Sequence, residues 1–153
     1  MLKFDQDIML KLVSELRKSV RRLNNLSTLK KEELFGDPDK IASAKYHFIV
    51  AIESCIDMCN HIISQNSFRV PEDYADTFRV MAEEGALDRE NIDDLVAMAK
   101  IRNRLVHLYW EVNNDQLHQI LLTRLGDFDI ILKSISSYLN WSDLSTNKNN
   151  NHR

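Results

Sequence analysis

Residues 47–65 read HFIVAIESCIDMCNHIISQ, and the spacing of their apolar members decides the fold class. Phe48, Ile49, Ile52, Cys55, Ile56, Cys59, Ile62 and Ile63 recur every three or four positions, the period of an α-helix, and form a wide apolar stripe. A helix with so wide a stripe sits at the centre of a bundle. Upstream, Asp37 followed by Pro38 supplies an N-cap and a first-turn proline, so the helix is expected to run from there to about Gln65. Cys55 and Cys59 are the only cysteines and read as small core hydrophobes. A zinc site needs two further ligands at regular spacing, and neither His47 nor His61 belongs to such a motif. No metal and no cofactor is expected. Glu53, Asp57 and His61 follow one another a turn apart on the same helix. The commoner meaning of such a row is a solvated edge; the alternative is that it orients catalytic groups on a neighbouring helix.

The flanking segments carry the same period. From about Asp5 to Leu34, residues Ile8, Leu12, Leu16, Val20 and Leu23 make one apolar face, while Lys11, Arg17, Lys18, Arg21 and Arg22 make the other side basic. A charged outer face is the usual meaning of that cluster, and phosphate contact by Arg17, Lys18, Arg21 and Arg22 is a secondary candidate. After Pro71, Asp73 to about Glu84 reads as a shorter amphipathic helix that Gly85 stops, and another helix begins at Asp88. Asn113, Asn114 and Asp115 are capping residues that break the chain before a last helix bearing Leu117, Ile120, Leu121, Leu125, Phe128, Ile131, Leu132 and Ile135. With three glycines and two prolines in 153 residues, the chain lacks the turn residues of an all-β protein. The expectation is an all-α, up-and-down bundle of about five helices, forming one domain over residues 1–141. The polar tail SDLSTNKNNNHR, residues 142–153, cannot bury enough apolar surface to order itself.

A net charge of −3 at pH 7 gives no global positive field, so any contact with nucleic acid has to be local. The opening residues, MLKFDQDIMLKLV, lack the apolar core and cleavage site of a secretory signal. No apolar run reaches the roughly 18–20 residues of a membrane span, and a cytoplasmic location without membrane contact is expected.

The chemistry is concentrated in MAKIRNRLVHLYW, residues 98–110. At about 100° per residue, Leu95, Met98, Ile101, Leu105 and Val106 define an apolar face, and Arg102 falls in its middle with Tyr109 almost in line two turns on. A guanidinium on a buried face carries a desolvation cost unless an anion or a set of acceptors meets it. The partner is either an internal carboxylate, Asp57, Asp94 or another, or a phosphate received in a dry cleft, for which the planar fork of donors is suited. His107 sits about 140° round the helix from Arg102, so the two reach one phosphate only if the helix distorts or a second chain contributes. A two-fold axis solves this by bringing two copies of the helix end together.

The run RNRLVHLY, with Arg102, His107 and Tyr109, resembles the signature of the HepT-like toxins of the HEPN superfamily. AIESCIDMCNHIIS (51–64), VPEDYADTFRVMAEEGAL (70–87) and DLVAMAKIRNRLVHLYWEV (94–112) resemble further segments of that family in the same order. The resemblance spans roughly residues 5–140. It implies an α-helical homodimer acting as a metal-independent endoribonuclease on RNA, tRNA or mRNA, with the cleft at the dimer interface. Arg102 and His107 match the catalytic pair, and Asn103 matches a supporting polar position. Tyr109 matches the tyrosine that a minimal nucleotidyltransferase antitoxin (MntA-like) AMPylates to silence the toxin. Arg104 joins the first-helix basic residues as a possible RNA contact. Ile101 and Leu108 stand where many relatives carry an aromatic and a polar residue. The alternative function is a non-catalytic helical subunit that presents a surface to the nucleotidyltransferase.

Overall fold

The structure is a computed structural model and describes residues 1–142; residues 143–153 of the expected tail lie outside the described part. Among the described residues there is no strand. The helices are α1 (Gln6–Ser27), α2 (Lys31–Phe35), α3 (Pro38–Gln65), α4 (Tyr74–Glu83), α5 (Ile92–His107), α6 (Asn114–Thr123) and α7 (Gly126–Leu139). None is long and apolar enough to cross a membrane.

α3 is the axis on which the others pack. Its Phe48, Ile52, Cys55, Ile56, Cys59 and Ile62 are all but inaccessible to solvent, and α1, α2, α4, α5, α6 and α7 each rest against it. Burying side chains of this size contributes about 1.5–3 kcal/mol each. The caps read from the sequence are in place. Asp37 Oδ1 accepts from the Asp39 amide with Pro38 in the first turn, Asp73 Oδ1 accepts from the Asp76 amide, and Asn113 forms a capping box with Gln116. Gly85, at φ +80°, takes the left-handed turn after α4 that a side chain resists.

Two segments expected as continuous helices are each divided, which is why seven helices replace five. α1 ends at Ser27 because the hydroxyls of Ser27 and Thr28 bond the carbonyls of Asn24 and Asn25, competing with the helical ladder. The last helix is interrupted at Arg124 and Leu125, after the Thr123 hydroxyl bonds the Gln119 carbonyl. The interruption turns Arg124 towards Asp94 of α5, at 2.9 Å.

The two ends of α1 and α3 are stitched together. The Asp5 amide donates to His61 Nε2 at 2.8 Å, and Asn66 exchanges two 2.8 Å hydrogen bonds with the backbone of Lys3. His61 is thereby a structural acceptor. Before α4, Arg69 clamps Asp76 at 2.7 Å and Glu83 at 2.8 Å, and the Asp76 carboxylate also accepts from the Glu72 amide. The Arg69 bond, and then the Glu72 amide, hold the Asp76 carboxyl at about 2, below its ordinary 3.8. A depressed folded-state pKa contributes stability above the unfolded pKa and loses it as pH falls through the folded one. Between about pH 4 and pH 2, thermal melts of the wild type should therefore lose stability more steeply than those of Asp76→Asn, while at neutral pH the variant melts lower.

Candidate active site

α5 turns Leu95, Met98, Ala99 and Leu105 into the core, and Arg102 lies in the same row. Its side chain is only 13% exposed. Nε and Nη2 both donate to Glu53 Oε1 of α3, at 2.9 and 2.7 Å, and Nη1 donates to Asn103 Oδ1 at 3.1 Å. The guanidinium carbon lies 4.7 Å from the centroid of the Tyr74 ring on α4. A carboxylate, an amide and an aromatic face thus meet the cost of holding the charge out of water. Among the described residues, three of the five guanidinium N–H groups are engaged and two remain for another acceptor.

Neither carboxylate named from the helical wheel is the partner. Asp94 pairs with Arg124. Asp57, a turn beyond Glu53, is exposed and makes no ion pair within 4 Å among the described residues; desolvation and then the Glu53 charge raise its pKa against the pull of Arg102. The solvated-edge reading of the Glu53, Asp57, His61 row therefore fails at Glu53, which orients Arg102. Val106, placed on the apolar face from the wheel, is 39% exposed.

His107 is the last residue of α5 and is exposed. The Leu108 amide still bonds the Arg104 carbonyl at 2.8 Å, but Leu108 leaves the helical region and Tyr109–Glu111 form a 3-10 turn. The wheel alignment of Tyr109 with Arg102 consequently does not hold, because the helix stops before Tyr109. What holds Tyr109 is Lys45 of α3: Nζ donates to the Tyr109 carbonyl at 2.9 Å and lies 4.1 Å from the centroid of its ring. Lys45 is buried, and burial lowers its pKa. The wheel argument that singled out Arg102 applies equally to Lys45, which stands within the apolar stripe three residues before Phe48 and seven before Ile52.

The basic cluster lies on α1, and its Arg22 is near enough to His47 of α3 for its charge to help lower that imidazole's pKa, after burial. Arg17 is half-buried, its pKa lowered by burial and by Arg21; Lys18, Arg21 and Arg22 are exposed; and α1 packs chiefly on α3 and α6, whereas Arg102 lies between α3 and α5. Arg104 is exposed on α5 and reaches Gln116 Oε1 at 3.5 Å. Cys55 and Cys59 are buried free thiols, and burial pushes Cys59 up to about 12 and raises Cys55 as well.

The sequence pattern of the ribonuclease HepT-like family matches residues 16–135, a span that contains Glu53, Arg102, His107 and Tyr109. The chain belongs to that family. It is 26% identical over 127 residues to the mRNA nuclease HepT of Shewanella oneidensis, covering 75% of this chain and 96% of that protein. The fold matches that of a tri-AMPylated Shewanella oneidensis HEPN toxin solved in complex with its MNT antitoxin, with a TM-score of 0.79, 24% identity, and 87% and 99% of the two chains covered. It equally matches YutE, a cytosolic Bacillus subtilis protein of unknown function, with a TM-score of 0.79, 18% identity, and 95% and 97% of the two chains covered.

Because Arg102 is largely buried, the Glu53→Ala variant of this HepT-like chain should lose about 1–3 kcal/mol of stability through the unpaired charge left behind. Arg102→Met, which removes the charge and keeps an apolar stem, should cost less. Urea denaturation of the two variants beside the wild type tests the order; an equal loss in both would show that the pair carries no such penalty.

Proposed function

We propose that this chain is the toxin of a toxin–antitoxin pair, a cytoplasmic, homodimeric, metal-independent endoribonuclease that is switched off by transfer of AMP to Tyr109. The observation that carries the reading is the state of Arg102: a guanidinium fixed on three sides within a core-facing row, with N–H donors to spare, five residues before an exposed histidine. The family is one of ribonucleases, and relatives described as an mRNA nuclease and as an AMPylated toxin bound to its antitoxin support the same assignment.

Cleavage without a metal uses the ribose 2′-hydroxyl as nucleophile. The 2′-oxygen bonds to phosphorus, the bond from phosphorus to the 5′-oxygen breaks, and a proton leaves the first oxygen while another reaches the second. Histidine titrates near neutrality and exchanges protons at both, which is the role assigned to His107. Arg102 remains charged and stabilises the phosphorane, and Asn103 helps to hold it in place. Val106, Leu108, Tyr109 and Trp110 expose apolar surface at the end of α5, with Trp110 at 77%, and such a patch beside the site suits packing against a second copy about a two-fold axis. Two copies then supply the Arg102 and His107 pairs to one groove. Arg17, Lys18, Arg21, Arg22 and Arg104 are assigned at most to flanking RNA contacts.

Induced alone, the wild type should arrest growth and fragment RNA, and Arg102→Ala and His107→Ala at matched levels of folded protein should do neither. The fragments should end in 2′,3′-cyclic phosphate and 5′-hydroxyl, and cleavage should persist in a chelator. Ends bearing a 3′-hydroxyl, or a strict requirement for Mg²⁺, contradict the mechanism, and three proteins that behave alike would leave the chain as a non-catalytic partner of the nucleotidyltransferase. With the transferase co-expressed, Tyr109→Phe should remain toxic; its silencing through transferase activity would refute Tyr109 as the acceptor.

A further inference from the structure

Lys45 is an interior cation with no anionic partner among the described residues. Its residue is 6% exposed, and among the described residues no carboxylate forms an ion pair with it. Its polar contacts among the described residues are the carbonyl and the ring face of a single residue, Tyr109. Both offer only partial negative charge, which compensates a buried ammonium less than an anion does. Tyr109 itself is 40% exposed, so one side of its ring meets the buried charge while the residue stays accessible.

We propose that Lys45 is a phosphate-binding group that pairs with the phosphodiester formed on the Tyr109 hydroxyl and thereby favours nucleotide transfer to it. The inference rests on the reading of Tyr109 as the modified residue. In the transfer, the phenolic oxygen of Tyr109 bonds to the α-phosphorus of ATP, the bond from that phosphorus to the β-phosphate oxygen breaks, and pyrophosphate leaves. The phenolic proton passes to a base of the transferase or to water. A neutral side chain thus becomes a diester carrying one negative charge. Lys45 is already ordered against the ring and gains its counter-charge only as the reaction proceeds, so it favours the product, and the transition state leading to it, over the unmodified side chain.

A purely structural role, in which Lys45 only anchors the carbonyl after α5, predicts that any change scales with stability. The experiment compares wild type, Lys45→Arg, Lys45→Gln, Lys45→Met and Tyr109→Phe, each with the partner nucleotidyltransferase and ATP, followed by intact-mass spectrometry and thermal melts. Expected is a rate of AMP addition about tenfold lower in the Gln and Met variants and largely restored in Arg, the size of one charge-assisted hydrogen bond. Gln keeps a donor for the Tyr109 carbonyl and so covers the case in which Met does not fold. Gln modified at the wild-type rate overturns the proposal, whereas an unmodified wild type, or a Tyr109→Phe protein modified as fully as wild type, overturns the Tyr109 reading instead. Sulfotyrosine installed at position 109 isolates the charge from the transferase. It should raise the melting temperature relative to tyrosine when Lys45 is present and not in Lys45→Gln, and an equal shift in both backgrounds would likewise overturn the proposal.

Discussion

The Glu53–Arg102 pair joins the central helix to the helix that carries the site. Oε1 of one side chain accepts from two nitrogens of the other, in a position where the arginine is only 13% exposed, and the Tyr74 ring of α4 closes over the guanidinium. Three helices therefore meet at one charged group. A buried or half-buried ion pair stabilises a fold less than well-packed apolar residues of the same volume would. Its cost makes sense where the guanidinium is needed as a guanidinium. Glu53 is 40% exposed while Arg102 is mostly enclosed, so the carboxylate is the more solvent-facing member of the pair. On the proposed reading of Arg102 as a phosphate-binding group, Glu53 and a phosphate would compete for the same N–H donors.

α3 holds both halves of the site from one rigid element. Glu53 fixes Arg102 and, eight residues earlier, Lys45 fixes Tyr109. Eight residues of helix span about 12 Å, so the separation between the arginine and the tyrosine segment is set largely by the pitch of α3. The 3-10 turn at Tyr109–Glu111 has few buried side chains of its own, and its place depends on this anchoring and on the capping box at Asn113 that follows. His107, at the junction of helix and turn, inherits its position from both sides.

Much of this was legible in the chain. Asp37 with Pro38, Asp73 and Asn113 marked helix starts because a cap needs only a side chain and an amide two or three residues away. The stripe of α3 and the misfit of Arg102 followed from periodicity. Where the helical wheel was extended past its limits it misled: Tyr109 was aligned with Arg102 on a helix that ends at His107, and the division of the first and last helices depended on Ser27, Thr28 and Thr123 hydroxyls taking carbonyls that the ladder would otherwise use. Lys45 was legible by the same logic as Arg102 and was passed over, since a lysine near the start of a long apolar stripe reads easily as a solvated end.

By itself, then, the sequence determined the helical class, the caps, the central helix and the identity of the out-of-place arginine, all of which are governed by contacts within one or two turns. Which carboxylate meets that arginine, and which cation meets Tyr109, was decided only in the folded chain. Those contacts join residues 49 and 64 positions apart, and periodicity along one helix states which face is turned inwards without stating what waits there. The choice of Glu53 over Asp57 and Asp94 follows from how α3 and α5 pack and from Arg124 having taken Asp94, and neither constraint is visible before the helices are assembled.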